Sequence, residues 1–100
     1  MLADIDAAAA APFHIIGPGL SSCGTWVANR GGHSSSGAGI YESWVVGFLS
    51  GIGFVNDHGA DPLNGVDAEA VWAWVDNYCG ANPLDTIEKA TIQFYIAHPR

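Results

Sequence analysis

Two cysteines, Cys23 and Cys79, stand 56 positions apart in a chain of 100 residues, and this spacing constrains the fold more than any other feature. Neither has a second Cys or a His beside it at metal-ligand spacing, which removes the C-x-x-C pairs of zinc sites and of thioredoxin-like redox motifs. One long-range disulfide fits the pattern; two unpaired buried thiols are the alternative. In the chain-entropy model, closing a loop of this length is worth about 4 kcal/mol, a large share of the stability of a small domain. A bridge would place the protein in an oxidising compartment, the bacterial periplasm or the cell exterior.

The second cysteine lies in the densest stretch of the chain, AVWAWVDNYCGANPLD at residues 70–85. Asp67 is expected to cap a helix there, with Glu69 in its first turn, where a negative charge suits the helix dipole. Trp72, Val75 and Cys79 share one face of that helix; Val71, Trp74 and Tyr78 widen it. Glu69, Ala73, Asp76 and Gly80 make the opposite side. Gly80 reads as a stop signal. Asn82-Pro83 then reads as the cap and first residue of a fourth helix, completed by Asp85, with Leu84, Ile87, Thr91 and Phe94 as its buried stripe.

Upstream, residues 23–30 form a short first helix with Ser21 or Ser22 as N-cap, ended by Gly31-Gly32. The run HSSSGAG, residues 33–39, is a loop by composition. A second helix covers residues 40–55, where Tyr41, Val45, Phe48, Leu49, Ile52 and Val55 recur at three- and four-residue spacing. Beside that face Ser43, Gly47 and Gly51 leave a stripe without bulk. Glycine costs about 1 kcal/mol against Ala inside a helix, so the stripe predicts that another backbone comes close; the alternative is that Gly51 and Gly53 fray the helix end. Residues 56–66 are a polar, turn-rich connection. No strand alternation and no internal repeat occur, and the expectation is an all-α bundle of about four helices in one domain, residues 21–100.

Residues 1–20 read as an N-terminal extension. The Ala-rich run at 7–11 lacks a basic segment before it and a strongly apolar core, so it reads as the remnant of a trimmed leader or as an engineered start. The longest apolar stretch, residues 44–55, carries Ser50 and three glycines and is too short for a membrane span.

Ten acidic residues against three basic ones, Arg30, Lys89 and Arg100, give a net charge of −7. A phosphate backbone or an anionic lipid surface needs Lys and Arg to neutralise it, so neither nucleic acid nor an anionic membrane is an expected partner. Protonating every carboxylate and all four His would carry the side-chain total to about +7 at strongly acid pH.

The order of a cysteine, then W-x-x-G-F-L-S-G (residues 44–51), then W-x-x-N-Y-C-x-x-N-P-L-D (residues 74–85) is similar to the small exported all-α bacterial proteins of the acid-resistance chaperone superfamily (HdeA/HdeB-type). It equally resembles the related immunity proteins that neutralise type VI secreted amidases (Tai-type). The resemblance spans residues 23–94. It implies a helical fold with a Cys23–Cys79 disulfide, periplasmic residence, often a homodimer, and no enzymatic activity; export through an oxidising compartment in turn calls for a signal peptide at some stage, and the charge leaves a protein, a peptide, a cation or a neutral small molecule as partner. Trp44, Gly47, Gly51, Trp72, Trp74, Tyr78, Asn82 and Pro83 are the motif positions, with structural roles. The chain has one Lys where the acid chaperones are lysine-rich, and its acidity suits an inhibitor of a basic enzyme. An inhibitor or immunity-type binder is therefore the first expectation and an acid-stress chaperone the second.

No cofactor, metal or catalytic residue is expected. GGHSSSG fails as a G-x-S-x-G nucleophile elbow, because His33 falls where the first glycine should stand and no strand precedes it. Asp57, His58 and Asp61 carry donor types that several divalent ions accept, but a polar loop turning at Pro62 accounts for them. Trp26, Trp44, Trp72 and Trp74 are read as core rather than as an aromatic cage.

Overall fold

The computed structural model describes residues 13–31 and 35–98. A 3-10 turn, Pro18–Leu20, precedes four helices: α1, Cys23–Arg30; α2, Ser35–Asn56; α3, Ala68–Ala81; and α4, Ile87–Ala97. The only β pairing among the described residues is an isolated antiparallel bridge between Ser22 and Thr86. The all-α expectation and the disulfide both hold, with Cys23 and Cys79 bonded at a Cα separation of 4.8 Å.

Local capping sets three of the helix starts. The Ser22 hydroxyl accepts from the Thr25 N–H, the Asp67 carboxylate from the Ala70 N–H and the Thr86 hydroxyl from the Lys89 N–H. Each satisfies one of the amides that a helix N-terminus leaves without an internal partner. The core joins all four helices: Cys23 and Trp26 from α1, Val45 and Leu49 from α2, Val71, Val75 and Cys79 from α3, Ile87, Ala90 and Phe94 from α4. The buried Thr91 hydroxyl donates to the Ile87 carbonyl at 2.8 Å, so it brings no unsatisfied polar group into this core.

Three boundaries differ from the sequence reading. Helix α2 begins at Ser35, inside the run read as a loop. Ala38 is buried two turns before Val45, and a Cβ at Gly37 would strike the Asn29 side chain, so packing against α1 holds this small-residue segment helical. Helix α3 passes through Gly80 and is capped at Asn82, whose N–H and side-chain amide both bond the last turn. Helix α4 starts at Ile87 rather than at Pro83, because backbone groups of residues 83–87 pair with the first residues of α1 and with Ser21 just before it. Gly24 N–H donates to Pro83 O, Cys23 N–H to Asp85 O and Ile87 N–H to Ser21 O. Leu84 is consequently 95% exposed instead of buried.

Residues 13–20, read from the sequence as part of the extension, lie against α2. The Trp44 indole N–H donates to Ile16 O at 3.1 Å, and a Cβ at Gly19 would clash with the Trp44 ring. Residues 1–12 and the His33 of the rejected nucleophile motif lie outside the described residues.

Candidate functional site

The aromatic side chains on α3 around Cys79 pack against one another and against α4. Trp74 stacks on Tyr78 with centroids 5.7 Å apart and meets the edges of Phe94 and His98 at 5.5 and 5.9 Å. The Tyr78 hydroxyl donates to the Asp85 carboxylate at 2.6 Å, which raises its pKa by favouring the protonated phenol. Trp72 donates its indole N–H to Glu42 O at 3.2 Å. Of the Asn82 and Pro83 motif positions, Asn82 closes α3 with both its backbone N–H and its side-chain amide, and the Pro83 carbonyl accepts from the Gly24 N–H.

Behind this cluster lies an ionic clip that the helical wheel did not show. Asp76, assigned from sequence to the side away from the tryptophans, is half-buried and accepts from Trp26 Nε1 at 2.7 Å and from Arg30 Nε and Nη2 at 2.9 and 2.8 Å. Arg30 Nη1 reaches Glu42 Oε2 at 2.7 Å. The guanidinium also lies 5.7 and 5.8 Å from the Trp26 and Trp72 ring centroids, within cation–π range. One arginine thus ties α1 to α2 and α3. Burial alone would push the Asp76 carboxyl up, but the hydrogen bonds from Arg30 and Trp26 outweigh it and hold the pKa below the usual carboxylate range. Hydrogen bonding to Asp76 likewise raises the Arg30 pKa. The signal in the sequence is a lone Arg on a helix with one tryptophan, Trp26, while its carboxylate partner Asp76 stands 46 residues away.

The outer face of α2 is different in kind. From Ser43 to Val55 the chain has no charged residue, and Phe54 and Val55 are 85% and 75% exposed. Val55 was expected on the buried stripe; Val45 and Leu49 are the fully buried members, while Tyr41, Phe48 and Ile52 are partly covered. A groove of about 550 Å³ runs along this helix, lined by Gly47, Phe48, Gly51, Ile52, Val55, Asn56 and Tyr95. Among the described residues the close backbone approach expected at Gly47 and Gly51 does not occur, since a Cβ at either meets nothing within 4 Å. The tight approaches on α2 fall instead at Gly37 and at Gly53, against Asp61. The segment Gly37–Asn56 is also long and apolar enough, by length and composition, to cross a membrane, which the shorter sequence-derived helix was not. Its Glu42 is engaged by Arg30, and its Val45 and Leu49 sit in the core.

Next to the end of that face, the connection between α2 and α3 is acidic. Asp57, Asp61, Asp67 and Glu69 are all exposed, and no Lys or Arg occurs between positions 31 and 88. Asp57 and His58 both adopt positive φ, 39° and 61°, and lie 3.5 Å apart. Asp61 accepts from the Leu63 N–H and Asp67 caps α3. Among the described residues no three His, Cys, Asp or Glu side chains are grouped so as to hold a metal.

A disulfide is compatible with an oxidising, exported location. No family model, no curated protein and no solved structure matches this chain.

Proposed function

We propose that this chain is a small exported, periplasmic, non-enzymatic helical module that acts by binding another protein, as an inhibitor or immunity-type factor. The division of its surface carries the reading: an uncharged apolar face on α2 adjoins four exposed carboxylates that have no Lys or Arg near them in sequence. Exposed apolar faces of this kind mark protein contacts, and the carboxylates select a partner with a basic surface. The similarity of its cysteine and tryptophan motifs to the amidase-immunity proteins points the same way.

The test uses the immobilised full chain against the exported protein fraction of its own cell. A partner should be retained at low salt, released as salt rises, and lost when Asp57, Asp61 and Asp67 are replaced by Asn and Glu69 by Gln. Equal retention by the neutralised chain, or none by either, would overturn the reading.

A second reading, an acid-stress chaperone, is favoured by the Arg30 clip. Its two carboxylates hold α1, α2 and α3 together, and protonation of Asp76, whose pKa the clip holds down, would loosen the bundle beside an apolar face. Suppression of client aggregation at about pH 2–3 but not at neutral pH would support it, and no suppression at either would remove it.

A further inference from the structure

We infer that the groove lined by α2 and Tyr95 binds the single acyl chain of a neutral amphiphile, with the polar head at Asn56 and Tyr95. The inference goes beyond the protein-binding reading. The carboxylates that select a basic partner follow the groove, in the 57–69 connection, and Phe54, 85% exposed on α2, does not line it.

Two neighbouring rows of α2 build the trough. Gly47, Gly51 and Val55 stand four residues apart along it, Phe48, Ile52 and Asn56 form the row beside them, and Tyr95 of α4 completes the lining. The two glycines leave the space, because a Cβ at either would meet nothing within 4 Å among the described residues. At about 550 Å³ the groove has the size of a small-molecule site. From Gly47 to Asn56 it runs about 14 Å along the helix, at about 1.5 Å per residue. A second hollow of about 360 Å³ shares Gly47 and Phe48 with it and reaches residues 14–16 and Trp44, so a longer chain continues along the same helix.

The chemistry of the lining selects the occupant. No charged residue lines the trough, and along its length nothing offers a hydrogen bond. The backbone groups of Gly47 and Gly51 are paired within α2, and the nearby Ser50 hydroxyl donates to Val46 O at 2.7 Å. An extended peptide laid there would bury N–H and C=O groups without partners, at a cost comparable to the lost hydrogen bonds. An alkyl chain has none to bury.

The polar groups gather at one end. Asn56 Nδ2 donates to Ala60 O at 2.8 Å and reaches Tyr95 Oη at 3.5 Å. Among the described residues the Tyr95 hydroxyl donates to no protein acceptor, so its proton can serve an oxygen of a head group. An apolar trough with a donor at one end matches an amphiphile. The head is neutral: the chain carries −7 and Asp57 directly follows Asn56, so an anionic head is repelled, while a cationic one finds no carboxylate in the lining.

The test is isothermal titration calorimetry of the full chain with octanoyl, decanoyl and lauroyl monoglycerides, each below its micelle concentration. Binding should saturate at one molecule per chain and tighten by about twofold to fourfold per added methylene. Gly51→Leu puts a side chain into the trough. It should keep the far-UV circular dichroism and a melting temperature at or above that of the parent, while weakening binding by about tenfold or more. Tyr95→Phe keeps the ring, removes the hydroxyl and should weaken binding by about twofold to tenfold. Decanoate, with the same chain and an anionic head, should bind more weakly than the decanoyl monoglyceride, and added NaCl should narrow the difference.

No saturation, no dependence on chain length, or unchanged binding by Gly51→Leu would overturn the inference. Decanoate binding as tightly as the monoglyceride would overturn the neutral head, and unchanged binding by Tyr95→Phe its placement. Partition onto phosphatidylcholine vesicles without saturable uptake of the free monoglyceride would give the groove to a bilayer surface instead, and self-association that excludes the monoglyceride would give it to a second copy. Because Gly51→Leu leaves the four carboxylates in place, its retention of a basic exported protein reports on the protein-binding reading alone.

Discussion

Replacing Asp76 with Ala should destabilise the fold by about 2–4 kcal/mol, and the figure follows from what the carboxylate holds. Trp26 is fully buried and its indole N–H donates to Asp76 at 2.7 Å. Without an acceptor that donor carries a desolvation cost of about 1–3 kcal/mol. Arg30 loses two of its three carboxylate bonds, but its side chain is 25% exposed and keeps Glu42, so solvent screening limits this part to about 1 kcal/mol. Asp76→Asn keeps an oxygen for Trp26 and gives up only the charge, and should cost about 1 kcal/mol. For a domain of this size each kcal/mol moves the melting temperature by about 4–8 °C, so the two variants separate clearly by calorimetry or tryptophan fluorescence. Equal losses for Ala and Asn would refute the assignment to the Trp26 bond; no loss in either would refute the clip. The pH dependence supplies a second readout. A carboxyl whose pKa is depressed in the folded state adds stability above its unfolded value, near 3.9, and that stability is lost as pH falls through the folded pKa. Parent stability should therefore drop below about pH 4, and Asp76→Asn should flatten this drop.

Other perturbations test the remaining structure. Replacing Cys23 and Cys79 together by Ala should cost about 4 kcal/mol in equilibrium unfolding, and reduction of the parent should add the mass of two hydrogen atoms; an unchanged mass would refute the bridge. Thr86→Ala should lose about 1 kcal/mol by removing the α4 cap, which a urea titration would resolve, whereas a cap at Asn82 would leave Thr86→Ala silent. Leu84→Ala should change stability by less than about 0.5 kcal/mol, while Leu49→Ala should cost about 2–5 kcal/mol; similar losses at both would contradict the exposed turn before α4.

Much of this protein was legible along the chain because the deciding physics is local. Apolar spacing, the Ser22 and Asp67 caps and the count of two cysteines act within a helical turn or by simple arithmetic. They located α1 and α3, the centre of α2 and the only partners available for a disulfide. The outer face of α2 was legible in part, since the Ser43, Gly47 and Gly51 stripe is visible at i+4, but the sequence does not say whether a backbone covers it or a groove stays open. What escaped depends on groups far apart in the chain. Residues 83–85 resemble a helix start because Asn-Pro is a good local one, yet their carbonyls are claimed by Cys23 and Gly24. Residues 35–39 resemble a loop, yet Ala38 is buried and Gly37 lies tight against Asn29. Asp76 resembles a solvent residue, yet Arg30 and Trp26 reach it across 46 and 50 positions. Helical periodicity states which residues share a side; only the packed bundle determines which side is covered, because burial and buried hydrogen bonding belong to pairs of elements and not to one.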